Sequence, residues 1–374
     1  MKKKFSMFTI ALAASLGLVA CGSNEGGQGT TNGEEKIKVG MMTDAGTIDD
    51  KSFNQSTWEG IQRYETENGT IESQYIRPSG TSTQDYLEAA DNLLTAGNQM
   101  IVAPGFKFDE AIAKLQTENP DIKFVIIDAE PKGEVAENTV AIYFAEQQGG
   151  FLAGVAAALE TKTNKVGFIG GMAIPSVQKF GYGFVAGVAY ANANLGTNVE
   201  VTDYLYNGTF TDIAGGQTQA GGMYDKGIDI IFAAAGAVGN GVIAEAKTRA
   251  EAGEDVKVIG VDVDQYEHGI ISDGSSVILT SAIKRVDNAA YDKVNDFVNG
   301  TFVGGEVITM DAKNDGIGLP AENPNLSEVT KQEADKVLQL IKDETLVIPT
   351  DEASTKEMLK ELGFDATHIN LSGQ

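Results

Sequence analysis

VGMMTDAGTIDDKSFNQSTWEG, residues 39 to 60, reads as a buried strand, a polar loop with an aromatic at its tip, and then a helix. The spacing recurs further along the chain. Val39, Gly40, Phe53, Gly60, Gly69, Thr70 and Asp85 match Val166, Gly167, Phe180, Gly187, Gly196, Thr197 and Asp212 without a gap. Beyond them, Gly97, Ile101 and Ala103 pair with Gly227, Ile231 and Ala233 once three residues are inserted. The repetition predicts two similar lobes, each offering one phenylalanine, which together would clamp a flat ligand.

Outward from this stretch, short apolar runs alternate with amphipathic ones, the signature of βαβ units around a parallel sheet. Strands are expected at 37–43, 100–103, 123–127, 140–143, 165–169, 229–233, 256–261 and 277–281. Helices are expected at 52–68, 83–96, 109–118, 147–161, 176–194, 212–226, 239–252 and 286–299. The fold class is therefore α/β. Open α/β sheets bind ligands beyond the carboxyl ends of their strands. Asp44, Asp128 and Asp262 stand at such ends, with Pro104-Gly105, Gly170-Gly171 and Gly236, and Lys284 follows the last run. Asp49 and Asp50, just before a helix, also suit the plainer role of helix cap or turn former.

A catalytic set is missing. His268 and His368 are the only histidines, and neither lies in a metal spacing or beside a nucleophile elbow. Gly181, Gly183 and Ala186 fit only a relaxed dinucleotide fingerprint and sit inside a predicted helix, not at a strand-to-helix turn. No catalytic residue, metal or cofactor is expected.

Binding chemistry fares better. Phe53 is flanked by Asp49, Asp50, Lys51, Ser52, Asn54 and Gln55, a setting that argues against core packing. Two rings facing across a cleft could sandwich a heterocycle, worth ~1–3 kcal/mol per stacked base. Asp44 and Asp262 suit ligand hydroxyls, and Asp128 suits N–H donors of a base. Lys284 would supply donors and balance the carboxylates. Gly236, Gly239 and Gly241 would let backbone N–H groups approach a ligand.

The N-terminus bears on location. Lys2 to Lys4 precede an apolar stretch from Phe5 to Val19, shorter than the ~20 residues of a membrane-spanning helix. Leu18-Val19-Ala20-Cys21 looks like a lipobox, and Cys21 is the only cysteine. The expectation is a lipoprotein signal over 1–21 ending at acylated Cys21, followed by a flexible tether over 22–35. With one cysteine there is no disulfide framework. The formal charge is −25, and loss of Lys2, Lys3 and Lys4 lowers it to −28. Such a surface repels phosphate backbones, so nucleic acid is not an expected partner and a neutral ligand fits better.

TDAGTIDDKSFNQSTWEG closely resembles the signature of the basic membrane protein family, the BMP/PnrA-like substrate-binding lipoproteins of ABC transporters. The resemblance extends through Asp128, FGYGFVAG at 180–187, AAG with Gly239-Asn240-Gly241, GVD ending at Asp262, Lys284 and DGIGL at 315–319. It implies a type I periplasmic-binding-protein fold, with two α/β lobes joined by three crossovers. It also implies a purine nucleoside (adenosine, guanosine or inosine) as ligand, and an ABC permease with its ATPase as partners. The aromatic at Phe53 would stack on the base, with Asp44, Asp128, Asp262 and Lys284 bonding base or ribose. Asp50, Asn54 and Asn240 are further candidate contacts. Phe180 is expected as the second ring, from the duplication, with Phe184 as fallback. The expected lobes are 36–142 plus 264–298, and 143–263 plus 299–374, in a monomer anchored by lipid to the outer face of the bacterial cytoplasmic membrane. Rival readings are a binder of another small neutral ligand, such as a sugar, and a surface protein that contacts other partners.

Overall fold

The computed structural model describes residues 36–373. The expected signal, tether and acylated Cys21 lie outside them. The first half of the chain runs β1 (Ile37–Met42), α1 (Phe53–Asn68), β2 (Ile71–Ile76), α2 (Thr83–Thr95), β3 (Met100–Pro104), α3 (Asp109–Glu118), β4 (Lys123–Ile127) and β5 (Thr139–Phe144). The second repeats the alternation with α4 (Glu146–Glu160), β6 (Lys165–Gly170), α5 (Pro175–Asn194), β7 (Glu200–Tyr206), α6 (Ile213–Asp225), β8 (Ile230–Ala234), α7 (Ala237–Glu251), β9 (Lys257–Asp262) and β10 (Ile278–Lys284). There follow α8 (Val286–Val298), β11 (Glu306–Met310), β12 (Ile317–Gly318), α9 (Glu328–Lys342) and α10 (Glu352–Glu361).

These strands form two six-stranded sheets, ordered β11-β5-β4-β3-β1-β2 and β12-β10-β9-β8-β6-β7. The first five strands of each lobe thus share one order, as the duplication predicts. The sixth differs: β11 joins β5 in parallel, whereas β12 joins β10 antiparallel. Central strands such as MIVAP and KFVII are buried along almost their whole length, because helices cover both faces of each sheet. Separate apolar clusters line the two faces of each sheet. The edge strands β2 and β7, half-exposed and rich in polar residues, escape the sequence expectation.

The chain passes between the sheets three times: from β5 to α4, from β10 to α8, and from β11 to β12. The crossings lie side by side, tied by bonds from the Ala145 amide to the Met310 carbonyl and from the Arg285 amide to the Gly316 carbonyl, each 2.9 Å. The expected lobe boundaries need correcting here. β10 pairs with β9, so 264–284 belongs to the second lobe rather than the first. β11 pairs with β5, so 306–310 belongs to the first rather than the second. Consecutive elements go to different lobes at these crossings, and no feature of local sequence marks where. Below, lobe I contains β1 to β5, α8 and β11, and lobe II contains the remaining strands.

Candidate ligand-binding site

β1 is hydrogen-bonded to both β2 and β3, and β6 to both β7 and β8, so strand order reverses at β1 and at β6. In open α/β sheets such a switch point opens a crevice at the carboxyl ends. The loops from both switch points line a cavity of about 260 Å³ between the lobes. Lobe I contributes Asp44, Asp50, Phe53, Asn54 and Asp128, and lobe II contributes Phe180, Gly236, Asp262 and Lys284.

Two strand-end carboxylates have matching backbones. Asp128, after β4, holds φ at 63°, and Asp262, at the end of β9, holds φ at 66°. Asp and Asn tolerate this left-handed region better than other residues with a Cβ. Here it turns the chain sharply at the carboxyl end of the fourth strand of each lobe.

The buried Lys284 ammonium sits among the acids. It donates to both oxygens of Asp128 at 2.7 and 2.5 Å and to Oε1 of Glu146 at 2.9 Å. Its Nζ lies 5.2 Å from the Phe53 ring centre and 5.0 Å from that of Phe144, within cation–π range. Burial works against its charge, but Asp128, Glu146 and Asp262 outweigh that and raise its pKa. Burial also raises Asp262, to about 6, although Lys284 and a hydrogen bond from the Ser52 hydroxyl oppose the shift. Glu146 is raised for the same reason, with Lys284 opposing.

Asp44 and Asp50 play different parts. Asp50 accepts from the amides of Ser52, Asn54 and Gln55 at 2.9, 3.0 and 3.2 Å. The first amides of a helix lack intrahelical partners, and a negative charge there is favourable. Asp50 therefore caps α1, the plainer role anticipated for it, although it also reaches the cavity wall. Burial raises its pKa against these bonds. Asn54 holds the pair together: its Nδ2 donates to Asp44 and Asp50, each at 2.9 Å, and its Oδ1 accepts from the Asp44 amide at 3.2 Å. Asp44 Oδ1 also accepts from the Gly46 amide at 2.8 Å, while Oδ2 has no donor among the described residues. Burial raises Asp44 as well.

Other expected residues fall elsewhere. Phe180 reaches the cavity but is only 3% exposed, its ring edge-on to Phe232 at 5.8 Å. Phe184 is fully buried in the lobe II core between Phe168 and Phe232, so it is not an alternative ring. Gly239 and Asn240 do not line the cavity: Asn240 instead donates to the Asp50 carbonyl at 3.0 Å. A Cβ on Gly241 would lie 2.0 Å from the Ile213 carbonyl, so that glycine serves the contact of α7 with α6. Neither histidine lines the cavity.

Sequence reasoning missed Arg77, Phe106 and Phe210 on the wall, and Glu146 behind Lys284. Phe210 carried the same signal as Phe53, an aromatic in a polar loop, NGTFTD at 207–212. Glu146 carried none, since EQQGG reads only as the start of an amphipathic helix. Phe53, Phe106 and Phe210 are half-buried.

Comparison with known proteins agrees with this arrangement. Residues 37–352 match the family model for "ABC transporter substrate-binding protein PnrA-like". A Listeria innocua protein named CD4+ T-cell-stimulating antigen is 36% identical over 93% of this chain and 99% of its own length. The ABC transporter nucleoside-binding protein BmpA of Lactococcus lactis is 35% identical over 86% of this chain and 92% of its own. Among solved structures, an ABC transporter solute-binding protein from Aeropyrum pernix superposes with a TM-score of 0.75 at 26% identity, covering 87% of this chain and 97% of that one. With two parallel-sheet lobes around one cavity and a family match over nearly all described residues, the chain belongs to the PnrA-like family of extracytoplasmic ABC transporter substrate-binding proteins, which capture a small ligand for a permease rather than transform it.

Proposed function

We propose that the cavity takes a purine nucleoside and that the chain delivers it to the permease of an ABC transporter whose ATPase is a separate chain. The observation that carries this reading is the pairing of half-buried rings from both lobes with three strand-end carboxylates on one small cavity. Phe53 from lobe I supplies one stacking face. From lobe II, Phe180 forms part of the floor, and Phe210 is the more accessible ring. None of Phe53, Phe106 and Phe210 is in ring contact with another described aromatic, and each lines the cavity, where a base can stack on its exposed part.

The free Oδ2 of Asp44 and the carboxylate of Asp262 accept ribose hydroxyls, and Asp128 accepts N–H groups of the base. Lys284 holds Asp128 in place and neutralises part of the acid cluster, leaving the cavity suited to a neutral guest. The name of the Lactococcus lactis relative supports the same ligand class. In this reading the chain is a monomer tethered by acylated Cys21 to the outer face of the cytoplasmic membrane.

Thermal shift with adenosine, guanosine and inosine tests the proposal, alongside mass spectrometry of whatever co-purifies. Stabilisation by at least one nucleoside is expected. Stabilisation by a sugar and by none of the three nucleosides would overturn it.

A further inference from the structure

Lobe II grips the site loop of lobe I at three consecutive residues. Asn240 on α7 donates from Nδ2 to the carbonyl of Asp50 at 3.0 Å. Gln265, just past β9, donates from Nε2 to the carbonyl of Lys51 at 2.9 Å. The Ser52 hydroxyl donates to Asp262. Neither Asn240 nor Gln265 lines the cavity.

Both ends of this contact are built. Gln265 is buried, its Oε1 accepting from the Val261 amide at 3.1 Å and its own amide donating to Ser281 Oγ at 3.1 Å. On the lobe I side, the Asp50 carboxylate fastens the loop to the start of α1, and Phe53 follows Ser52 directly. Lys51 lies at φ 60°, a conformation that a residue with a Cβ holds only against a steric cost. The gripped loop is therefore the one that aims the clamp ring and the caps beneath it.

We propose that Asn240 and Gln265 are positioning residues, a latch that sets how much of the protein is in the closed, binding-competent form. Their acceptors are main-chain carbonyls, which titrate at no accessible pH and are present whatever fills the cavity. The latch thus acts on every ligand alike, since apparent affinity is the intrinsic affinity scaled by the competent fraction. This rests on the inter-lobe cavity being the ligand site, and not on the ligand being a nucleoside.

The test uses the full-length chain with Asn240→Ala, Gln265→Glu and the two combined. Gln265→Glu keeps the acceptor for the Val261 amide and removes the donor. Asn240→Ala places the best helix former at a half-buried helical position, so one variant folds even if the other does not. Calorimetry with adenosine, guanosine and inosine is expected to show each single variant weakening all three by one common factor, about 3- to 10-fold, the size of one net hydrogen bond. Factors that differ between nucleosides would mean direct contact and would overturn the latch, as would affinities within about twofold of the parent, less than one net hydrogen bond. If the parent binds none of the three, the nucleoside reading fails separately. Small-angle scattering of the ligand-free proteins then decides: a larger radius of gyration in the double variant supports the latch, and equal radii overturn it.

Discussion

Gly60 on α1 and Gly187 on α5 do the same work in the two lobes. A Cβ on Gly60 would lie 2.2 Å from the Asp287 carbonyl of α8, and one on Gly187 would lie 2.2 Å from the Phe151 carbonyl of α4. Each glycine lets a neighbouring helix approach closely, and both helices end at an asparagine, Asn68 and Asn194. At their N-termini they part. α1 begins at Phe53 itself, after a loop that Asp50 caps, whereas α5 begins at Pro175 and holds Phe180 more than a turn inside. The added turn brings Phe180 into the lobe II core, while Phe53 stays at the cavity surface. Matched residues keep their packing role near the middle of a duplicated helix. Their exposure depends on where the helix starts.

A similar offset affects the pair Asp85 and Asp212. Asp85 lies in the first turn of α2 and closes a capping box with Ser82, whereas Asp212 is itself the cap of α6. The three-residue insertion therefore falls before α2 and α6, so this match is not an equivalence of place. Asp128 and Asp262 are the better symmetric pair, with the same strand end and the same left-handed backbone. They differ in their partners, Lys284 for one and Ser52 for the other.

The contrast between the two phenylalanines has a direct test. Phe180→Ala should cost about 3–5 kcal/mol of stability, as for a large buried ring, measured by urea denaturation. Phe53→Ala should leave stability within about 1 kcal/mol, because its ring is only half-buried. Equal losses in the two variants would break the distinction drawn between the lobes. Where the lobes agree, the costs should match: Gly60→Ala and Gly187→Ala should each lose about 1–3 kcal/mol by overpacking a helix contact. For binding the order reverses. Phe53→Ala should weaken nucleoside binding by about 1–3 kcal/mol, read by calorimetry, through loss of one stacking face.

A dependence on pH separates the paired carboxylates. Asp262, raised to about 6 in the fold, lies above an unfolded value of about 3.9. Its contribution to stability is thus complete below about pH 4 and is lost as pH rises through about 6. Binding runs the other way, since the charged form is the stronger acceptor. Affinity should fall by up to about tenfold per pH unit below 6. Asp262→Asn should flatten both profiles. A variant whose binding keeps the parent's dependence between pH 5 and 7 would move that role to another carboxylate.

Much of the fold was legible where burial is complete. Continuous apolar runs such as KFVII mark strands covered on both faces, and the strand-end residues Asp44, Asp128, Asp262 and Lys284 do converge on the cavity. The edge strands IESQYI and EVTDYLY were not legible, because a half-exposed strand is free to carry polar residues. Nor was Glu146, whose burial depends on Lys284 arriving from a strand far along the chain. Asn240 illustrates a subtler limit: its motif suggested the ligand, but its amide bonds the opposite lobe.

By itself, the sequence determined the alternation of strands and helices, the two-fold repetition, the absence of a catalytic set and the acids at the strand ends. These follow from periodicity and side-chain chemistry, which are local. Only the tertiary structure decided that β10 and α8 part company at a crossing, that an extra turn buries Phe180, and that Lys284 lies between Asp128 and Glu146. Those outcomes depend on contacts between residues distant along the chain, whose energies no local pattern records.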